Sequence, residues 1–516
     1  MEKFPYKELP YETYSICPEC ILEGEVNVLK ANVYEENGKV MIDKTCPIHG
    51  YFKDVYWGDA DLFRRAMQWW YKGIGLENPR TKTVKGCPLD CGLCPNHKSH
   101  TALALIDVTN RCNMRCPICF ANAAATGYVY EPSIEEIAFI LKNFRDNRPV
   151  PAPAIQFAGG EPTVREDLPE LVKLAKEIGF PHVEIATNGL RLAHDLDYAK
   201  KLKEAGLSTI YLQFDGVTPE PYYKSRGRNV LPEKLQAIEN CREVGLHSIV
   251  LVPTVVRGMN DDQLGKIIEF AVKNYDVIRG VNFQPVSITG RIDRKEREKM
   301  RITIPDLMKL IERQTNGRIK VDDWFPTTYP IPLARTLGLM KKSPVVEFSA
   351  HPACGMSTFI VVEEDGSYAP ITEYVNAEKV AKIFEKAAGI LSRGGFLSGF
   401  RAKLSLLGVL WCFKDSSLRR QFLKLVIKKD YNTLGDFMRR VIMVSSMHFQ
   451  DPYNFDLERV QQCIIHYGIP DGRIIPFCSM NSIHRERIEK QFSIPINEWK
   501  RRKGKLTPVE EQSIEV

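Results

Sequence analysis

The chain has 516 residues, a formal net charge of +7 and 26% charged residues, which is long enough for two or three domains with cores of their own. Its 44% hydrophobic content is ordinary for a soluble globular protein. No apolar run approaches the length of a spanning helix, and the first fourteen residues have neither an apolar core nor a cleavage-like site. A cytoplasmic location is therefore expected. The modest positive charge comes without an RNA-binding signature, so no nucleic-acid partner is expected. The 14 cysteines cluster as CPEC, CPLDCGLC and CNMRCPIC, which reads as metal binding rather than disulfide bonding.

Residues 1–75 read as a small metal-binding ribbon. Cys17 and Cys20 (CPEC) are followed, across a strand-like stretch, by Cys46 and His49 (CPIHG). Two thiolates, a third and an imidazole make a four-ligand tetrahedral set, fit for structural zinc or for a rubredoxin-like mononuclear iron. The helical stretch DLFRRAMQWWYKG then leads to GCPLDCGLC, which supplies Cys87, Cys91 and Cys94. Its spacing repeats that of the next triplet, and His97, His100 or a distant cysteine is available as a fourth ligand.

Residues 76–300 open with this cluster and then alternate between short apolar runs and amphipathic segments. ALIDVTN, AIQFAGG, HVEIATNG, TIYLQFDG, SIVLVPTVV and GVNFQPVS are the candidate strands; EDLPELVKLAKEIG, DLDYAKKLKEAG and PEKLQAIENCREVG are candidate helices. This alternation predicts an α/β fold with a parallel sheet, open or barrel-like, and chemistry at the C-terminal ends of the strands.

The first of those ends carries TNRCNMRCPICF, with Cys112, Cys116 and Cys119 spaced Cys-x3-Cys-x2-Cys. Three thiolates at this spacing suit three irons of a cubane cluster and leave the fourth iron open to a chelating substrate such as S-adenosylmethionine (SAM). A zinc site would need a fourth protein ligand, and none is evident. The later strand ends add Gly159, Gly160 and Glu161 (GGEP), Asn188 (ATNG), Gln213 and Asp215 (QFDG) and Gln284 (NFQP). Each alone is explained by a polar turn; their succession after the cysteine loop is the informative feature.

With these motifs, residues 103–290 resemble the radical SAM superfamily. The resemblance implies a partial (β/α)6 TIM barrel with a [4Fe-4S] cluster on Cys112, Cys116 and Cys119, and a reduced cluster that splits SAM to a 5′-deoxyadenosyl radical. It also implies Phe120 beside adenine, Gly159, Gly160 and Glu161 at the methionine amino group, and Asn188, Gln213 and Asp215 at the ribose and carboxylate. Gln284 is added as a further polar strand end.

Residues 301–500 lose the alternation and read as a mainly helical domain with one further strand-like run at TFIVVEEDG; residues 501–516 read as a frayed tail. Cys354, Cys412, Cys463 and Cys478 lie in this part, able to hold one more auxiliary [4Fe-4S] cluster or to complete the Cys87 site, so one or two auxiliary clusters are expected. Cys412 sits in an apolar run and is equally a core residue. Cys241, in AIENCREV, reads as core. Between Glu385 and Arg440 twelve Lys and Arg stand against four Asp and Glu, in stretches that are also apolar. Such helices either cap the barrel with solvated basic faces or lie on an anionic membrane.

The succession CPEC…CPIHG, GCPLDCGLC, CNMRCPICF, HPACG and IHYGIPDGRIIPFC resembles the archaeal tetraether lipid synthases and their close relatives over nearly the whole chain. That resemblance implies carbon–carbon coupling of phytanyl chain ends on archaeal diether phospholipids. It further implies a peripheral position on the inner face of the cell membrane and an electron donor such as ferredoxin. The alternative is a radical SAM methyltransferase acting on a pterin precursor of the methanogen C1 carrier, which needs a polar, planar pocket. A third reading is a noncatalytic iron–sulfur electron-transfer protein, against which the intact GGEP and ATNG turns speak.

Overall fold

A computed structural model describes residues 2–5, 7–123, 127–414, 419 and 439–515. The basic stretch SSLRRQFLKLVIKK lies outside the described residues, except for Arg419.

The N-terminal unit is a four-stranded antiparallel sheet in the order β1 (Tyr11–Ile16), β2 (Val28–Glu36), β3 (Lys39–Cys46), β4 (Gly50–Trp57). Alternation in β2 and β3 places Ala31, Val33, Val40 and Ile42 on one face, where they join Trp57, Phe63 and Trp70 in the main core. The sheet is tied down by polar contacts: Lys44 Nζ donates to the carbonyls of Pro452 and Tyr453 at 2.7 and 3.0 Å, and Thr13 and Tyr56 both donate to Asp456 at 2.7 Å.

The second sheet is the barrel wall. Its parallel strands β5 (Leu103–Thr109), β7 (Ala154–Gly159), β8 (His182–Thr187), β9 (Thr209–Gln213), β10 (Ile249–Val252) and β12 (Ile278–Pro285) stand side by side in that order. These are the six expected strands. The short strand β11 (Thr254–Val255) pairs with β12 beside this path, while β6 (Tyr128–Val129) pairs with Ile494–Pro495 in a separate two-stranded sheet. Helices such as Leu168–Ile178 and Leu264–Lys273 cover the outer face, where Ile155, Phe157, Val183, Ile185, Ile210, Leu212, Ile249 and Leu251 are buried. Parallel strands read as continuous apolar runs when both faces are covered. Here the inner face departs from that rule, since it carries Gln156 and Glu184 as direct partners and, farther along, Tyr211, Gln213, Asn282 and Gln284.

The chain beyond residue 300 contributes strands to this same sheet as well as helices. β13 (Phe325–Pro326), β14 (Gly355–Val362), with β15 (Tyr368–Pro370) at its side, and β16 (Val441–Met447) extend it beyond β12; β17 (Ile465–Gly468) and β18 (Ile474–Pro476) extend it beyond β5. β16 runs parallel to β12, and β17 parallel to β5. The last residues form a helix, Pro508–Glu515, and fold back so that Ser513 accepts a hydrogen bond from Arg111 Nη1 at 2.6 Å. No helix among the described residues is long and apolar enough to cross a membrane.

Candidate functional site

The cysteine loop leaves the end of β5 and is held on every side. Asn110 exchanges hydrogen bonds with the Tyr130 backbone, its N–H to the Tyr130 carbonyl at 2.9 Å and its Oδ1 from the Tyr130 N–H at 3.0 Å. Arg111, 2% exposed, pairs with Glu131 at 2.7 Å and lies over the Trp499 ring at 4.6 Å. Cys119 and Arg291 form a β-bridge, and Arg291 Nη1 donates to the Cys116 carbonyl at 3.0 Å. Gly290 has φ +62°, and a Cβ there would sit 2.4 Å from the Cys119 and Phe120 carbonyls, so the bridge needs glycine.

Cys112 is buried, Cys116 and Cys119 are half-buried, and Phe120 is 44% exposed beside them. Burial pushes the Cys112 thiol well up, and Glu161, Cys119 and Cys116 add to the push. Burial raises Cys116 as well, opposed by the Arg226 guanidinium. Three crowded thiols of this kind suit a cationic iron cluster, which takes them as thiolates.

The GGEP turn sits directly under the loop. The N–H of Gly160 donates to the Thr109 carbonyl at 2.8 Å and that of Glu161 to the Arg111 carbonyl at 2.9 Å. A Cβ on Gly159 or Gly160 would come within 2.2 Å of those carbonyls, so both glycines are required by this approach. The buried Glu161 carboxylate accepts from Thr163 N–H, Thr163 Oγ1, Thr187 Oγ1 and Asn188 N–H at 2.6–3.1 Å. Glu161 thus joins two strand ends; burial raises its pKa against those four donors. Asn188 Nδ2 donates to Asn113 Oδ1 in the cysteine loop at 2.7 Å.

Asp215 is fully buried and engaged by Arg226, by Ser225 Oγ at 2.7 Å and by the Thr254 N–H at 3.2 Å. Gln284 Nε2 donates to the Tyr211 hydroxyl at 3.2 Å. Gln213 lies close enough to Asp215 to help hold that carboxyl down, yet neither of its buried amide atoms makes a hydrogen bond of ordinary geometry.

In the N-terminal ribbon the ligand atoms of Cys17, Cys20, Cys46 and His49 all lie within 4.8 Å of one another. His49 Nδ1 faces the sulfurs at 3.4–3.8 Å, and its Nε2 meets Glu23 at 3.2 Å, the carboxylate–histidine arrangement that fixes the tautomer of a metal ligand. Burial alone would raise the Cys46 thiol, but the backbone N–H groups of His49 and Ile48 outweigh it and bring it down to about 6. The donor set fits a tetrahedral ion.

Cys87, Cys91 and Cys94 gather in one loop, and the field at Cys91 includes Cys463. Cys354, Cys463 and Cys478 form a neighbouring group, with Arg459 Nε donating to Cys354 Sγ at 3.4 Å and the Gln450 N–H to Cys478 Sγ at 3.3 Å. Cys412 stands apart, its thiol turned to the Gly408 carbonyl and its surroundings formed by Tyr329 and Lys379. His97 bonds the Cys463 carbonyl at 2.9 Å and His466 at 3.1 Å, while His100 accepts from the Glu347 N–H at 3.1 Å. These contacts all use Nε2, and among the described residues the buried Nδ1 of His100 has no hydrogen-bond partner. Cys241 is core.

A parallel barrel with a Cys-x3-Cys-x2-Cys loop at the strand ends defines a radical SAM domain, and the Radical SAM superfamily model matches residues 106–271. The model of the HMPTM N-terminal zinc ribbon domain matches residues 9–58. The 7,8-dihydro-6-hydroxymethylpterin dimethyltransferase of Methanocaldococcus jannaschii is 50% identical over 499 residues, 95% of this chain and 97% of that protein. The chain therefore belongs to the radical SAM superfamily and, within it, to the family of that dimethyltransferase. A GTP 3′,8-cyclase of Limosilactobacillus fermentum is 34% identical over 35% of this chain and 54% of its own length. A crystal structure of Streptococcus suis SuiB aligns over 43% of this chain and 47% of that chain at 19% identity and a TM-score of 0.35.

This relationship corrects the lipid-coupling expectation. The full-length relative carries a pterin methyltransferase name, and the polar inner wall of the barrel is the reverse of an isoprenoid tunnel. The motif order seen in the sequence is a property of this family and does not by itself select a lipid substrate. SAM, the [4Fe-4S] cluster and an N-terminal metal site follow from the family and the site geometry.

Proposed function

We propose that the chain is a radical SAM methyltransferase acting on 7,8-dihydro-6-hydroxymethylpterin. The observation that carries this reading is the 50% identity to the dimethyltransferase over 95% of the chain, zinc ribbon included. The barrel interior supports it, with amide, phenol and carboxylate groups where a small planar heterocycle needs partners.

Cys112, Cys116 and Cys119 would hold the SAM cluster. When bound, cluster and SAM together supply a 5′-deoxyadenosyl radical that removes a hydrogen atom from the substrate. The protein's own part is to hold the loop. Arg291 and Arg226 fix its carbonyls, Glu161 locks the strand ends below it, and the C-terminal helix clamps Arg111 in front of Cys112. A fixed loop keeps the reacting centres aligned and water out. Phe120, half-exposed at the loop end, offers a face for adenine. Cys87, Cys91 and Cys94, with Cys354, Cys463 and Cys478 adjacent, are the ligands available for auxiliary clusters, and a small electron-transfer protein such as a ferredoxin is the natural reductant.

Anaerobic protein incubated with SAM and reductant should form 5′-deoxyadenosine severalfold faster when 7,8-dihydro-6-hydroxymethylpterin is added. A rate indifferent to the pterin contradicts the reading.

A further inference from the structure

The two faces of the barrel strands differ in a way the helices do not explain. On the outer face Val183, Ile185, Ile210, Leu212, Ile249 and Leu251 are buried to 1% exposure or less. On the inner face Ala186, Tyr211, Gln213, Val250 and Gln284 remain partly accessible. The inner wall is therefore the less tightly covered face, with the small side chains of Ala158 and Ala186 on it.

That wall carries a hydrogen-bonded belt. Gln156 Nε2 on β7 donates to Glu184 Oε1 on β8 at 2.6 Å, and His182 Nε2 meets Glu184 Oε2 at 3.3 Å. Further round, Asn282 Nδ2 and Gln284 Nε2 both donate to the Tyr211 hydroxyl, and Ser445 Oγ donates to Asn282 Oδ1 at 2.9 Å. Glu184 is near enough to Tyr211 to raise its phenol pKa further, after burial has done most of the work. One pleat above Tyr211, about 7 Å nearer the cysteine loop, the amide of Gln213 has both its polar atoms buried without a hydrogen bond. Close to that amide is the Asp215 carboxyl, which it helps to hold down.

We propose that this inner-wall belt is the substrate-ring site, with Glu184 the specificity-determining residue that accepts the two donors on a pterin's pyrimidine edge. The inference rests on the pterin reading and deepens it. A pterin presents an acceptor carbonyl, a ring N–H and an amino group in a row. A carboxylate flanked by the Gln156 amide and the Tyr211 hydroxyl is the matching acceptor set with donors beside it. A ring standing on Glu184 runs along the strands toward Gln213 and the loop of Cys112, Cys116 and Cys119. A purely apolar chain in the same space would strip water from the Glu184 carboxylate and leave it only the Gln156 and His182 contacts.

The test is equilibrium binding to the anaerobic, cluster-loaded protein by calorimetry, with 6-hydroxymethylpterin and with the lumazine analogue that carries oxygen in place of the 2-amino group. The wild type should bind the pterin roughly tenfold or more tightly than the lumazine, because only the pterin offers the carboxylate two donors. Glu184→Gln should lose that discrimination, and Tyr211→Phe should weaken both ligands while keeping the ratio. Iron content and visible spectrum confirm that each variant is loaded.

Equal affinity of the wild type for the two ligands overturns the assignment without any variant. So does discrimination retained in Glu184→Gln. If the wild type binds neither ligand, the pterin reading itself fails and takes the site with it, whereas pterin-dependent 5′-deoxyadenosine with undiminished discrimination in Glu184→Gln removes the site alone.

Discussion

Arg226 and Asp215 face each other in a two-point ion pair, Nε to Oδ2 at 2.7 Å and Nη2 to Oδ1 at 3.0 Å, with Asp215 wholly excluded from solvent. The free Nη1 of the same guanidinium donates to the Ile118 carbonyl at 3.0 Å, inside the cysteine loop. The end of β9 is thereby wired to the loop through one side chain. Arg226 also lies beside Cys116 and draws its pKa down against burial. A fixed positive charge at a cluster ligand favours the reduced, more negative cluster.

Arg226→Gln should cost stability and cluster occupancy together. Removing one partner of a buried pair leaves Asp215 uncompensated, worth about 3–5 kcal/mol, and frees the Ile118 carbonyl. Denaturant unfolding of the reconstituted protein and an iron assay check this. The remaining SAM cluster should have a lower reduction potential in an anaerobic redox titration. Wild-type stability and potential would remove Arg226 from the account.

The N-terminal metal should be separable from the cluster iron. Cys20→Ser and Cys46→Ser should each lose about one metal ion per chain in elemental analysis, because the four ligand atoms lie within 4.8 Å and share one ion. The melting temperature should fall as well, since β1–β4 anchor Thr13, Lys44 and Tyr56 to the segment 452–456. Iron on Cys112, Cys116 and Cys119 should persist.

Among the late cysteines, Cys412→Ala should keep full iron content, whereas Cys463→Ala should lose part of it. Cys412 is turned to the Gly408 carbonyl in its own turn, while Cys463 lies between the Cys87–Cys94 loop and the pair Cys354 and Cys478. Iron and sulfide counts on the two variants decide this directly.

Glu489 gives a pH dependence. Its carboxyl is pushed up to about 7 by burial and, next, drawn down by Arg485 and raised by Asp107; Glu486 raises it further, and Tyr130 lies against the same group. Unfolded, it titrates near 4.5. Between those values the unfolded chain has released a proton that the fold retains, so stability falls as pH rises through that window, by ~3 kcal/mol at most. Glu489→Gln removes this dependence, and its melting temperature relative to wild type should be higher at pH 8 than at pH 5.

Periodicity made the six strands and their helices legible, and spacing made the Cys112 loop and the Cys17–His49 set legible, because each is a local property of the chain. The structure adds partners distant in sequence. Nothing local links Ser513 to Arg111, Arg226 to Ile118 or Arg485 to Asp107, though each pair is in contact. Beyond residue 300 the strand-like run TFIVVEEDG marked β14, whereas β16 was obscured because it enters the sheet from a region rich in helices. Gln156 and Glu184 sit inside runs that read as apolar strands, and only the register shows that they share the inner face. The substrate was the least legible feature. Motif order is shared across a family, and a basic, apolar stretch fits a capping helix as well as a lipid.

The measurement that bears most directly on the central claim is hydrogen transfer. With 7,8-dihydro-6-hydroxymethylpterin deuterated on its ring methylene and hydroxymethyl carbons, the anaerobic protein, SAM and reductant should give 5′-deoxyadenosine carrying deuterium by mass spectrometry, and Cys116→Ala should give none. Unlabelled 5′-deoxyadenosine formed at the same rate with and without the pterin would contradict the account.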